Sequence, residues 1–428
     1  MTPQELIALA VFCLTYALII DGRIHRAVVA MVGAAIVVLA SVVPWDAAFQ
    51  YIDFGTIFLL MGMMIIVNTA QKSGMFEFIA IKTARMAGGN PLKLLVLFSL
   101  VTAVVSAFLD NVTTVLLLTP LLIYIAGVME VSVVPYCIAE IFASNIGGAA
   151  TLIGDPPNIM IGSAANLSFN DFLVNMGPVV VVDLFVVVAM MAYLNRHTLI
   201  LDAEKKSHID ETLGNLDEDS AITDRILFYK SLVIISAVVI LFLLHDSIGL
   251  EPEAIALIAA AVFLFWSRIA PDDIFREIEW TALFFFGGLF IVVGALVQTG
   301  LISDAASVIA GSLGASGSNG ILIIAWFSAL ASAFVDNIPL TATMIPLIQD
   351  LGTAMDVSDL WWALSLGACL GGNGTAIGAS ANIVVLGIAE ENDIAITFKE
   401  FIKMGMPVLF VTVGIGSFLL LLRAALFG

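Results

Sequence analysis

Long apolar runs separated by short polar breaks recur from one end of the chain to the other. Runs near ~20 residues are long enough to cross a hydrocarbon core of ~30 Å as helix. Ten crossings are predicted, at about 4–21, 27–44, 54–71, 134–165, 178–195, 228–246, 252–268, 280–298, 358–389 and 405–422. The first has no basic stretch ahead of it and no A-x-A site after it, so it reads as a membrane helix and not a cleaved leader. Between the third and fourth crossings of each half lies a pair of apolar arms with an Asp-Asn at the join. The arms run about 94–109 and 112–127, then 320–335 and 338–350. An arm of about 16 residues spans roughly 24 Å, short of a full crossing, and the joins lack ordinary turn residues. Both pairs are therefore predicted as re-entrant hairpins whose tips meet near mid-depth.

The two halves repeat. At an offset of 226, "SAFLDNVTTVLLLTP" (106–120) falls on "SAFVDNIPLTATMIP" (332–346), Gly62 on Gly288, and Gly74 on Gly300. At an offset of 224, "GGAATLIGDPPN" (147–158) falls on "GGNGTAIGASAN" (371–382). Matched polar residues at a nearly constant offset indicate internal duplication. Five crossings per half is an odd number, so the halves run in opposite senses, the inverted-repeat plan of secondary transporters. The fourth crossing of each half is 32 residues long and carries Gly147, Gly148, Gly154, Pro156 and Pro157 at its centre in the first copy and glycines in the second. Proline and glycine there predict two half-helices around an unwound middle. Such a break is tolerated only where it is buried in protein or lines a wet cavity. The predicted fold is an all-α polytopic membrane protein: an inverted repeat of two five-helix halves, two re-entrant hairpins and two broken helices.

Composition agrees. The chain is 61% hydrophobic and 12% charged over 428 residues, about half the charge of an ordinary soluble protein. Of its 16 Lys and Arg, all but Arg423, from Arg23 and Arg26 to Lys399 and Lys403, fall on one side of the predicted crossings. That side reads as cytoplasmic, with both termini outside. The acidic segment 201–225 joins the halves on the cytoplasmic side. A net charge of −19 counts against nucleic acid as a partner. Cys13, Cys137 and Cys369 lie in apolar segments and form no disulfide framework. His25, His197, His208 and His245 lie in flanks and read as solvated.

Candidate chemistry centres on the tips and breaks. A carboxylate in a membrane is a functional candidate by default. Asp110 and Asp336 lead, followed by Asn111 and Asn337; Asp-Asn at a helix start also caps it, and the two roles coexist. Asp155, whose counterpart is Ala379, either caps the half-helix beginning at Pro156 or handles an ion or proton. Thr151, Thr375, Asn158, Asn382, Asn145 and Asn373 flank the breaks and are expected to line the site, with Gly147, Gly148, Gly371 and Gly372 supplying the unwound backbone. A Na⁺ site is outlined by Asp110, Asn111 and Gly148 with Asp336, Asn337 and Gly372. Glu140 and Asp183 are coupling candidates, or else buried hydrogen-bonding groups. No cofactor beyond a coupling ion such as Na⁺ is expected. No H-E-x-x-H spacing or protease pairing supports an enzyme, and broken inverted repeats favour alternating access over a continuous pore.

These motifs resemble the ArsB/NhaD group of the ion transporter superfamily, which has a citrate transporter-like domain, and within it the P protein-like permeases. The likeness covers essentially the whole chain. It implies a homodimer in the cell membrane and coupling to sodium or protons. It also implies scaffold helices (1–71 and 226–298) and an elevator-like set of hairpin and transport helices (72–200 and 299–428). The tips here read Leu109-Asp110-Asn111-Val112 and Val335-Asp336-Asn337-Ile338. Related sodium–dicarboxylate symporters carry Ser-Asn-Thr, a departure that counts against a dicarboxylate. The resemblance leans towards a small inorganic ion as cargo, an anion or arsenite. The carboxylates point towards cation or proton handling, including Na⁺/H⁺ antiport. For thiolate recognition of arsenite, only Cys369 is near the site.

Overall fold

The computed structural model describes residues 1–197, 199, 218–313 and 317–427. Most of the acidic joining segment, including Asp202, Glu204, Asp210, Glu211 and Asp217, lies outside the described residues. Among the described residues there is no strand. The first half comprises α1 (Pro3–Asp21), α2 (Arg26–Leu39), α3 (Trp45–Tyr51), α4 (Phe54–Gln71), α5 (Met75–Ala87), α6 (Pro91–Phe108), α7 (Asn111–Val128), α8 (Val134–Gly148), α9 (Pro156–Ala165), α10 (Phe169–Asn175) and α11 (Gly177–Leu194). The second comprises α12 (Arg225–Ile248), α13 (Pro252–Ser267), α14 (Pro271–Phe275), α15 (Trp280–Gln298), α16 (Leu301–Leu313), α17 (Gly317–Ser332), α18 (Asn337–Leu351), α19 (Ser358–Gly371), α20 (Ser380–Glu391) and α21 (Phe398–Phe427). The order of elements repeats, except that α21 runs continuously where the first half divides into α10 and α11.

Helix starts follow local chemistry. Thr2 and Glu5 form a reciprocal capping box on α1, with Pro3 at its first position. Asp53 accepts the Thr56 N–H at 3.1 Å to cap α4, and Asn90 does the same for α6 through Lys93. Among the described residues, eight helices (α1, α4, α6, α7, α11, α12, α15 and α21) are long and apolar enough to cross a membrane. Both arms of the first hairpin are among them. Each has 18 residues, about 27 Å, longer than the sequence pattern indicated. The arms of the second have 16 and 15 residues. The short helices α5 and α16 were not anticipated. They carry charge inside apolar runs and do not read as crossings.

The halves interlock. α2 packs along α15 and α4 along α13. The repeated glycines make these crossings close: a Cβ on Gly62 would lie 2.8 Å from the Ala256 carbonyl carbon, and one on Gly288 would lie 2.7 Å from that of Ala30. Within each half the first hairpin arm packs along the first half of the broken helix, α6 on α8 and α17 on α19. Across halves, α7 meets α20 and α9 meets α18.

The end of the joining segment fixes one face of the molecule. Thr223 N donates to Ser73 O at 3.1 Å and its hydroxyl donates to Lys72 O at 2.6 Å. Arg85 pairs with Glu218, and Lys72 with Glu277 just before α15. α4 therefore ends, and α15 begins, at this linker face. α2 begins there too, because the Arg26 guanidinium sits 5.2 Å over the Phe285 ring. On the opposite face His245 corrects the sequence reading. It is only 8% exposed, and its Nε2 accepts the Phe169 N–H at 3.2 Å. The flank looked solvated because the linear pattern does not show α10 folding back over it. The three cysteines are free thiols.

Candidate functional site

Both hairpin tips and both helix breaks converge on one buried carboxylate. Asp155 is fully buried. Asn111 Nδ2, from the first tip, donates to its Oδ1 at 3.3 Å. Asn337 Nδ2, from the second tip, donates to Oδ1 at 3.2 Å and to Oδ2 at 3.3 Å. Asp155 occupies the N-cap position of α9 yet its side chain makes no capping bond. Its backbone carbonyl instead accepts the Asn158 N–H at 2.9 Å. Of the two roles open to Asp155 in the sequence, helix capping is the one this geometry does not use.

An amide network ties the halves together beneath Asp155. Asn111 Nδ2 also donates to Asn145 Oδ1 at 3.2 Å. Asn145 Nδ2 donates in turn to Asn373 Oδ1 and Asn382 Oδ1, both at 3.0 Å. Two atoms of the network are buried without a protein partner, the acceptor Asn111 Oδ1 and the donor Asn373 Nδ2. Unpaired buried polar atoms are uncommon and costly, and here one could receive a cation and the other an anion.

The tip aspartates differ. Asp110 caps α7, its Oδ1 accepting the Thr113 N–H at 3.0 Å and its Oδ2 the Thr113 hydroxyl. Asp336 caps α18 through the Ile338 N–H at 3.1 Å. Its Oδ2 also accepts Arg26 Nη1 at 3.0 Å and Ser380 Oγ at 2.5 Å. Glu279, just ahead of α15, completes the charged surroundings. Burial pushes its carboxyl above the usual carboxylate range, the charge of Asp110 pushes the same way, and Arg26 opposes. The sequence pattern missed Arg26 and Ser380. Arg26 looked like a flanking topogenic charge, and the repeat pairs it with Pro252 and Ser380 with Pro156, so no duplication marked either. Glu279 falls on Asp53 in the repeat, a signal that was there to find.

The remaining expected residues hold the breaks in shape. Asn158 Nδ2 donates to Thr151 O at 2.9 Å, and Asn382 Nδ2 to Gly372 O at 2.7 Å and Thr375 O at 2.9 Å. The Thr151 and Thr375 hydroxyls donate to the Ala107 and Ala333 carbonyls at the ends of the first hairpin arms. Asn158 Oδ1 accepts from Ser365 Oγ at 2.7 Å and from the Cys369 thiol at 3.5 Å. The Cys369 thiol also reaches the Asp155 carboxyl, whereas the asparagine and threonine side chains at the breaks face backbone and neighbours. Gly147 and Gly371 allow contact: a Cβ would meet Ala103 O at 2.3 Å and Ala329 O at 2.5 Å. The Gly148 carbonyl is 3.4 Å from Asn158 Nδ2. Both glycine carbonyls expected at a Na⁺ site thus face amide donors. Among the described residues no group of three or more His, Cys, Asp or Glu could hold a metal ion, so a cation here would depend on amide oxygens as well. Glu140 and Asp183 lie apart from this network. Glu140 accepts the Thr119 hydroxyl at 3.1 Å and has one unpartnered oxygen; both oxygens of Asp183 are unpartnered.

Comparison with known proteins identifies the class. The citrate transporter family model matches residues 16–367. The chain belongs to the citrate transporter family. It is 40% identical to a 46 kDa membrane protein of Mycobacterium leprae, over 98% of this chain and 99% of that one. It is 33% identical to the P protein of Homo sapiens, over 99% of this chain but 60% of that longer protein. The fold is similar to the YdaH transporter of Alcanivorax borkumensis, with a TM-score of 0.59 at 15% identity over 88% of this chain and 87% of that one. It is also similar to MtrF of Neisseria gonorrhoeae, TM-score 0.57 at 12% identity over 87% and 81%. As a citrate transporter family member, the protein is a multi-pass membrane transporter of the ion transporter superfamily and not an enzyme.

Proposed function

We propose that this protein is a secondary active transporter coupling Na⁺ or H⁺ to a small inorganic anion or arsenite, and that it works by elevator-type alternating access. The observation that carries this reading is Asp155, a buried carboxylate held by one amide from each hairpin tip and by no cationic side chain. A charge so placed is costly unless a mobile cation or proton meets it. The orphan acceptor of Asn111 supports a cation beside it, and the orphan donor of Asn373 supports an anion. Two cavities support movement of the hairpins and broken helices against the remaining helices. One of about 570 Å³, between α9, α4 and α12, and one of about 360 Å³, between α9, α18 and α15, open on the face opposite the linker. The charge asymmetry supports a cytoplasmic linker and outside termini in the cell membrane, and the family resemblance supports a homodimer.

Na⁺/H⁺ exchange is the second reading. Asp110, Asp155, Asp336 and Glu279 lie around the tips, and Arg26 pairs with Asp336 and acts on Glu279, which leaves an excess of negative charge that favours a cation as cargo.

Flux into proteoliposomes under imposed Na⁺ and pH gradients, with arsenite, inorganic anions and dicarboxylates as cargo, separates these readings. Asp110→Asn and Asp336→Asn are each expected to abolish coupled flux while folding is retained, since asparagine caps a helix as well as aspartate. Full activity in both variants overturns the assignment of the tips.

A further inference from the structure

The geometry points to Arg26 as a tethered cation that occupies the Asp336 tip whenever Na⁺ does not, so that ion binding and the Arg26 contact exclude one another. The inference rests on the transport reading above and commits it to Na⁺. Asp336 is 9% exposed, and its Oδ2 receives both Arg26 Nη1 and Ser380 Oγ. Arg26 Nη1 also donates to Ser380 Oγ. The guanidinium is held in place on its other side by the Phe285 ring. Arg26 is the first residue of α2, whereas Asp336 and Ser380 open α18 and α20. The three-way contact therefore bridges elements that the transport reading requires to separate.

Asp336 Oδ2 and Ser380 Oγ are two oxygens of the kind a hard cation takes. A bound Na⁺ would neutralise Asp336 as Arg26 does, with the same charge. Arginine remains protonated, so it yields its place by moving and not by titrating. Among the described residues the other tip has no such device. Asp110 turns its oxygens to Thr113, and the repeat offers Pro252 and Pro156 where Arg26 and Ser380 stand. Tyr16, on α1, makes a second bridge to the same helix, its hydroxyl lying 2.6 Å from Pro339 O and 2.6 Å from Thr343 Oγ1.

The test is a Na⁺ titration of the purified full-length protein, read by thermal stabilisation, with choline holding ionic strength constant. Arg26→Gln is expected to lower the Na⁺ concentration for half-maximal stabilisation about tenfold, the scale of one charge-assisted hydrogen bond. Ser380→Ala, which leaves the arginine in place, and Arg26→Lys are the companions should Arg26→Gln fail to fold. Arg26→Lys keeps the charge but loses the fork and the ring contact, and is expected to fall between wild type and Gln. A wild-type Na⁺ response that neither Arg26 variant shifts overturns this inference and leaves the transport reading intact. The same holds for proton-driven flux with no Na⁺ response. No flux under either gradient overturns both. A loss of anion affinity in Arg26→Gln with Na⁺ affinity unchanged would make Arg26 a cargo ligand, and also overturns it.

Discussion

Asp155→Asn is expected to reduce coupled transport roughly 100-fold, since a lost charge partner in a low-dielectric site is worth a few kcal/mol. The protein should fold as well as wild type, because asparagine can turn its carbonyl oxygen to the same two tip amides, Asn111 and Asn337. Removing an uncompensated buried charge also lowers the cost of folding, so thermal stability in the absence of ions should hold or rise. Na⁺-induced or pH-induced stabilisation should shrink together with flux. Gradient-driven uptake in proteoliposomes, beside thermal unfolding of the same preparation, measures both. Uptake within twofold of wild type would remove Asp155 from the mechanism, however central its position.

Gly147→Val and Gly371→Val should act in the opposite manner, through folding. Each added side chain would begin within 2.5 Å of a carbonyl oxygen on the packed hairpin arm, Ala103 O or Ala329 O. The obstacle is backbone of a neighbouring helix and not a flexible side chain, so α6 and α8, or α17 and α19, must part. Overpacking of this kind costs about 1–3 kcal/mol or more. The expected result is a thermal transition lowered by several degrees and a reduced monodisperse yield, with Gly147→Ala milder than Gly147→Val. A valine variant as stable as wild type would mean that the arm does not need the glycine contact.

How much of this was legible beforehand depended on duplication. Asp110 and Asp336, the tip asparagines and the paired glycines each appear twice at a nearly constant spacing, and the structure brings both tips and both breaks to one place. Residues without a repeat partner were harder to read. Asp155 was recognisable as an acid ahead of Pro156, but only the orientation of its side chain distinguishes a cap from a group facing the tips. Arg26 was counted as a flanking charge, because a linear pattern does not show that α2 begins beside a tip from the other half. Thr151, Thr375, Asn158 and Asn382 were expected to line the site from positions flanking the breaks. Their bonds to backbone carbonyls answer the unwound segment's own need for donors, a need that sequence spacing does not assign to particular atoms. The first hairpin's arms were read as shorter than they are because charge-free apolar residues give no sharp boundary.

The mismatch between a repeated backbone and unrepeated charges has an energetic consequence. Two halves with the same order of elements and reciprocal packing would, alone, make the two access states of an alternating carrier nearly degenerate. Arg26 breaks that degeneracy. On the linker face the Asp336 tip meets a guanidinium; at the corresponding place on the far face the chain offers Pro252 and, where Glu279 stands, Asp53. In the proposed alternating-access reading, an unloaded, negatively charged Asp336 tip would therefore be held at one end of its travel by a contact that the other end lacks. The unloaded carrier would then have a resting position, and its return without cargo would be slowed, which suits exchange of one ion for another; a symporter, which must return empty, would instead turn over more slowly.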